Sequence, residues 1–181
     1  MAMLLVIVFR RKGWCLVNFV KVNKEIAVAL VGAANDGFGM AGLKPEPVGV
    51  TIRPRTDHMI TSLIGFVGKY CGTIALNISQ DAATFLAGKM LGDGYSASHG
   101  EILDGVSEII NIIAGKAKAV LSAGEYVIEK ISVPTVITGK RYEIGLIKGM
   151  TSVSMEFQLP DTSLLEYRSQ FFSVSISLIK V

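Results

Sequence analysis

Glu108 and Asn111 stand three positions apart in a stretch, residues 101–115, whose apolar and polar residues alternate with a helical period. At about 100° per residue, Ile102, Val106, Ile109, Ile110, Ile113 and Ala117 form one broad apolar face. Glu101, Asp104, Glu108, Asn111 and Gly115 fall opposite it in a narrow stripe at i, i+3, i+4 and i+7 spacing. A carboxylate and an amide side by side on that stripe point the same way and could touch one target together. Gly105 and Gly115 are unusual inside a helix, because each costs roughly 1 kcal/mol against Ala. They make sense if another surface approaches the backbone closely on that side. On spacing alone, the plainer description is a solvated polar face with two incidental glycines.

Other arrangements that resemble catalytic or binding motifs fail on context. Gly37-Phe-Gly-Met-Ala-Gly42 spells GxGxxG, with Asp57 downstream. A dinucleotide fingerprint needs a strand before it and a helix opening from it. Here a helical stretch precedes it, and Pro45 and Pro47 prevent a helix after it, so it reads as a glycine-rich helix stop. Asn77-Ile-Ser79 is a glycosylation sequon by spelling only. His58 and His99 belong to no HxxE or HExxH pattern, and there is no GxSxG or P-loop. Cys15 and Cys71 are too few for a disulfide framework and lack zinc spacing, which fits a reducing, cytoplasmic compartment.

The elements that would position Glu108 and Asn111 follow from punctuation along the chain. Asn23 is a good N-cap for an Ala-rich helix over 24–36, closed by the glycine cluster. Strand-like runs follow at 48–53, 59–67 and 72–78, then a helix at 80–91 ending at Gly92-Asp-Gly94. Ser98-x-x-Glu101 is a capping box that opens the longest helix, which runs to about Leu121. Further strands are expected at 125–133, 135–138, 142–148, 151–159 and 170–180, with Gly149 and Pro160 bounding a hairpin. The halves echo each other: Asn35 and Asn111 are offset by 76, Pro54 and Pro134 by 80, Gly68 and Gly149 by 81. A duplicated unit of helix plus three strands accounts for this.

Half of the 181 residues are apolar and 18% are charged, against roughly 25% in an average globular protein. That supports one sizeable core. The net charge of +3 comes from scattered Lys and Arg with no basic stripe, which argues against nucleic acid. The run Met1–Phe9 has its positive charges, Arg10, Arg11 and Lys12, after the apolar stretch rather than before it, so it does not read as a signal peptide. It is also far short of the about 20 residues that span a bilayer, and no membrane segment is expected. Residues 1–16 read as an appendage, either one arm of a hairpin turning at Arg11-Lys-Gly13 or the product of an upstream start codon; 17–181 form the domain.

Glu101-Ile-Leu-Asp-Gly-Val-Ser-Glu-Ile-Ile-Asn-Ile-Ile-Ala-Gly115, followed by Ile131-Ser-Val-Pro-Thr-Val-Ile-Thr-Gly139, resembles the CheX family of chemotaxis phosphatases, relatives of CheC and the flagellar-switch phosphatases. The shared core is Glu-x-x-Asn, then Ile-Ile-x-Gly, then Ser-x-Pro-x-Val-x-x-Gly. From about Val17 onward the order of elements follows the family, including the early helix closing on Gly42-Leu-Lys-Pro45. The resemblance implies an α/β (α+β) domain with an extended, largely antiparallel sheet and two long helices on one side. It implies hydrolysis of the aspartyl phosphate of a CheY-type receiver domain. Asn111, whose amide donates and accepts at once, would hold the attacking water, and Glu108 would pair with a receiver lysine. Asp104 and Gly115 would line the contact. The chain would need no cofactor of its own, since magnesium would sit in the receiver's acidic pocket. A homodimer is also implied, with the alternating run 171–179 as a possible edge strand. Gly32 stands where a second Glu-x-x-Asn would need its Glu before Asn35, so one active site per chain is expected. The rival reading is a non-catalytic adaptor docking a receiver or flagellar-switch protein through the same helix.

Overall fold

The computed structural model describes residues 5–7, 17–19, 22–92, 96–139, 142–160 and 165–181. In chain order the elements are β1 (Leu5–Ile7), β2 (Val17–Phe19), α1 (Lys24–Gly39), β3 (Glu46–Thr51), β4 (Ile60–Gly68), β5 (Tyr70–Ile78), α2 (Gln80–Leu91), α3 (His99–Ser122), β6 (Ile128–Ile131), β7 (Thr135–Thr138), β8 (Thr151–Gln158) and β9 (Phe171–Lys180), with a short 3-10 turn at Tyr167–Gln170. β1 and β2 pair antiparallel as a ribbon. The turn expected between them at 11–13 lies outside the described residues.

The other seven strands make one antiparallel sheet in the order β3-β8-β9-β5-β4, closed by β6 and β7, which both lie along the outer side of β4. β6 and β7 act as one edge strand interrupted around Pro134, and each half of the chain then supplies a helix, an outer strand and a hairpin. The outer strand of each half pairs with the hairpin of the other, β3 on β8 and β6–β7 on β4, while β5 and β9 meet in the middle. The duplicated unit is therefore real and arranged as a pseudo-two-fold. Its landmarks differ from those expected. Residues 142–148 are not a strand, because the chain must cross from β7 at one edge to β8 near the other. Gly149, at φ 92°, turns into β8 rather than joining a hairpin; the second hairpin is β8–β9.

That topology corrects the expected dimer edge. β9 is paired along its length with β5 on one side and β8 on the other, so the run 171–179 has no free edge to offer. Its period-two alternation reflects two covered faces instead. Ile64, Ile74, Ile176 and Val153 form one row across four central strands, all fully buried beneath the helices. The opposite face carries Ser152, Ser154, Ser173, Ser175 and Ser177, also buried. Asn77 belongs to that face and donates to the Thr61 hydroxyl at 2.7 Å. A glycan cannot be attached to it in the folded chain.

Candidate active site

Three helices cover the apolar face, and their starts are fixed as the residue types dictate. The Asn23 side chain accepts from Ile26 N–H at 3.1 Å, and Ser79 caps α2 through Ala82 N–H at 3.1 Å. Ser98 and Glu101 form the full capping box on α3, with the Ser98 N–H donating to the Glu101 carboxylate at 2.7 Å. Such a cap contributes about 1 kcal/mol and sets where the helix begins, and hence which side chains face outward ten residues later. Ile102, Val106, Ile109, Ile110, Ile113, Ala117 and Leu121 are buried, so the rotational setting of α3 follows the apolar stripe.

Asp104, Glu108 and Asn111 consequently lie exposed on the outward side of α3, and Gly115 is half-exposed on the same side. The structure brings these four together on one surface. Among the described residues, a Cβ built at Gly115 meets no heavy atom within 4 Å, so none of them requires a glycine there. Gly105 differs: it faces α2, with Ala87 Cβ at 3.6 Å and Met90 Sδ at 3.7 Å from its built Cβ. The two glycines that looked alike in the sequence thus have different surroundings, Gly105 packed against α2 and Gly115, about 80° further round the helix, open.

α1 fixes the other coordinate of α3. It runs antiparallel to it, with Glu25 against Gly124 at one end and Gly37 against Ile109 and Ile113 at the other. A Cβ at Gly37 would sit 2.5 Å from Ile113 Cγ1 and 3.3 Å from the Ile109 carbonyl oxygen, so the glycine permits the close crossing. Gly37 and Ile113 are separated by the same offset as Asn35 and Asn111, 113 − 37 = 76. The helices therefore cross where the repeat meets its own copy. Phe38, next in sequence, stacks on Phe172 at 4.2 Å and anchors this end of α1 to the central strand. Sequence reasoning took Gly37 only as part of a helix stop; the available signal was a glycine one residue before a helical phenylalanine.

The repeat counterpart of the pair is built differently. Gly32 is exposed with open space around it, and Asn35 is half-buried with its Oδ1 enclosed and, among the described residues, without a partner. Asp36 forms an ion pair with Lys116 of α3 at 2.7 Å. An amide with its oxygen shut away is poorly placed to hold a water for chemistry, whereas Asn111 is open.

A cluster of ionisable groups lies elsewhere, near the start of β4. Arg55 donates to Asp57 and to Glu156, the latter at 2.7 Å. Burial pushes the Asp57 carboxyl up, but the hydrogen bond and charge of Arg55 outweigh it and hold the group below its ordinary value. Burial lowers the neighbouring His58 imidazole. Asn77 clamps the His58 backbone, accepting from its N–H at 3.2 Å. His99 opens α3 at an exposed position. Among the described residues no group of three or more His, Cys, Asp or Glu is arranged to hold a metal ion, and no helix is long and apolar enough to cross a membrane.

Comparison with known proteins bears directly on α3. A family model described as chemotaxis phosphatase CheX matches residues 60–158, more than half of the chain and all of α3. No curated protein matches. Among solved structures, a putative chemotaxis protein from Desulfovibrio vulgaris Hildenborough is similar with a TM-score of 0.74 and 25% identity, over 87% of this chain and 99% of that one. A chemotaxis protein CheX from Desulfovibrio desulfuricans gives 0.70 and 24%, over 85% and 99%. The CheX–CheY–BeF3–Mg complex from Borrelia burgdorferi gives 0.65 and 22%, over 88% and 99%. At these identities the last two speak to the fold.

Proposed function

The chain belongs to the CheX family of chemotaxis phosphatases, and from that premise we propose that it hydrolyses the aspartyl phosphate of a CheY-type receiver domain in the cytoplasm, with α3 as the reacting surface. The observation that carries this reading is the exposed pair Glu108 and Asn111, side by side on a helix whose rotation is fixed by its caps and core. The relative from Borrelia burgdorferi, of the same fold, is a complex of CheX with CheY, BeF3 and Mg.

The chemistry needs little from this chain. A water oxygen bonds to phosphorus as the bond from phosphorus to the aspartate oxygen breaks. The products are inorganic phosphate and the free carboxylate, and the water's protons leave with phosphate. Catalysis of phosphoryl transfer is mostly positioning and charge stabilisation. Asn111 accepts a hydrogen bond from the water through Oδ1 and donates through Nδ2 to a phosphoryl oxygen. Glu108, one turn earlier, pairs with a lysine of the receiver and fixes the register. Asp104 and Gly115 border the contact. Magnesium, held in the receiver's acidic pocket, would neutralise charge on the phosphoryl oxygens. We further propose a homodimer, built without β9 as an edge; light scattering that shows a monomer at all concentrations would remove that part.

The reaction is tested in water enriched in oxygen-18. Label in the released phosphate, and none in the receiver's aspartate, is expected for attack at phosphorus. Tight binding of the phosphorylated receiver with no phosphate released would favour an adaptor instead.

A further inference from the structure

A receiver-sized partner needs more surface than α3 offers. The stripe from Asp104 to Gly115 is roughly 17 Å long and 10 Å wide, on the order of 200 Å². A specific protein interface buries roughly 800 Å² on each partner, and even weak ones approach about 500 Å². The remainder must come from surface continuous with the stripe. α1 lies directly alongside, drawn close by Gly37. From Ile26 to Met40 it carries one charged side chain, Asp36, and Lys116 of α3 neutralises it. Solvated helix faces ordinarily carry charge. This one instead exposes Val28 (60%) and Met40 (55%), with Gly32 and Gly39 presenting bare backbone between them. Among the described residues neither glycine has a heavy atom within 4 Å of a built Cβ, so the packing of those residues does not call for them. α2, the other neighbour of α3, shows the ordinary pattern, with Asp81, Thr84 and Lys89 outward.

We propose that the outward face of α1 is the second half of the docking surface, and that the receiver domain lies across both helices. The inference rests on the receiver-phosphatase reading above. Apolar surface of the receiver covers Val28 and Met40, its backbone comes close at Gly32 and Gly39, and its phosphorylated centre sits over Asn111. The Asp36–Lys116 pair keeps the two helix faces in one plane and leaves α1 without a net charge to repel or attract a partner.

The test uses the full chain with a phosphorylated receiver, comparing Gly32→Arg and Met40→Arg with Val67→Arg, an exposed position on the opposite face of the sheet. Both α1 variants place the new side chain in solvent, and circular dichroism melting checks the fold of each. KM for the receiver should rise about tenfold or more, with kcat at saturation within about twofold of wild type. Val67→Arg should keep the wild-type KM. Asn111→Ala should show the reverse split, a fall in kcat at unchanged KM. Wild-type KM in both α1 arginine variants, with Asn111→Ala inactive, would overturn the docking surface and leave the phosphatase reading standing. Failure of wild type to accelerate phosphoryl loss would remove both.

Discussion

Replacing Gly37 with alanine tests how α3 is held, because two effects of known size oppose each other. A Gly→Ala change inside a helix ordinarily stabilises by about 1 kcal/mol. At Gly37 the added methyl would lie 2.5 Å from Ile113 Cγ1, 3.2 Å from Cδ1 and 3.3 Å from the Ile109 carbonyl oxygen. Ile113 is fully buried and Cγ1 lies at the base of its side chain, so a swing of a flexible tip cannot relieve the contact. Overpacking of this kind costs about 1–3 kcal/mol, so the net effect is a loss of roughly 0–2 kcal/mol. For a chain of this size each kcal/mol shifts Tm by about 2–4 °C. Gly32→Ala, in open space, isolates the propensity term and should raise Tm by a similar few degrees. Calorimetric melting of the two variants beside wild type therefore reads opposite signs from one chemical change. A Gly37→Ala chain as stabilised as Gly32→Ala would refute the close crossing of α1 and α3, and with it the account of what aims Asn111.

Asn35→Ala should leave receiver dephosphorylation within about twofold of wild type, since its amide oxygen is enclosed; a loss matching that of Asn111→Ala in a turnover assay would mean that both halves work. Gly32→Glu, which restores the sequence pattern in α1, should for the same reason not create a second site, and stoichiometry by titration calorimetry should remain one receiver per chain. Glu108→Ala should raise KM for the receiver by about 5- to 30-fold, in line with removal of one charge-assisted contact of about 1–2 kcal/mol, while kcat at saturation falls less. His58 has its folded pKa lowered by burial from 6.5. The unfolded chain therefore binds the extra proton first, and stability should fall as pH drops below about 6.5 towards the lower folded value. Melting of His58→Gln across pH 5–8 should show a flatter dependence, and an unchanged slope would count against the buried neutral imidazole.

How much of this was legible in the chain depended on whether a feature was local. Caps are local, and Asn23, Ser79 and Ser98 with Glu101 all sit where their chemistry places them. The period of 3.6 set the rotation of α3, so the stripe of Glu108 and Asn111 could be read before any tertiary contact was known. The duplicated unit was legible from Asn35 and Asn111, but its second hairpin was assigned to the wrong turn. Gly149 has the conformation of a turn glycine, and sequence carries no mark distinguishing a turn that joins paired strands from one that ends a crossing segment. The alternating run 171–179 suggested an edge for the same reason: period two says that a strand has two faces and is silent on how many neighbours it has. Gly37 was missed because close approach of two helices is a property of both, and Ile113 lies 76 residues away.

The most direct measurement is the lifetime of the phosphoryl group on a receiver domain, followed alone, with this protein, and with its Asn111→Ala variant at saturating concentration. Wild type should cause rapid loss and Asn111→Ala a rate reduced by on the order of a hundredfold, the scale of losing one positioning contact in the transition state, with binding retained. A lifetime unaltered by wild type, or shortened as much by Asn111→Ala as by wild type, would rule out Asn111-dependent hydrolysis.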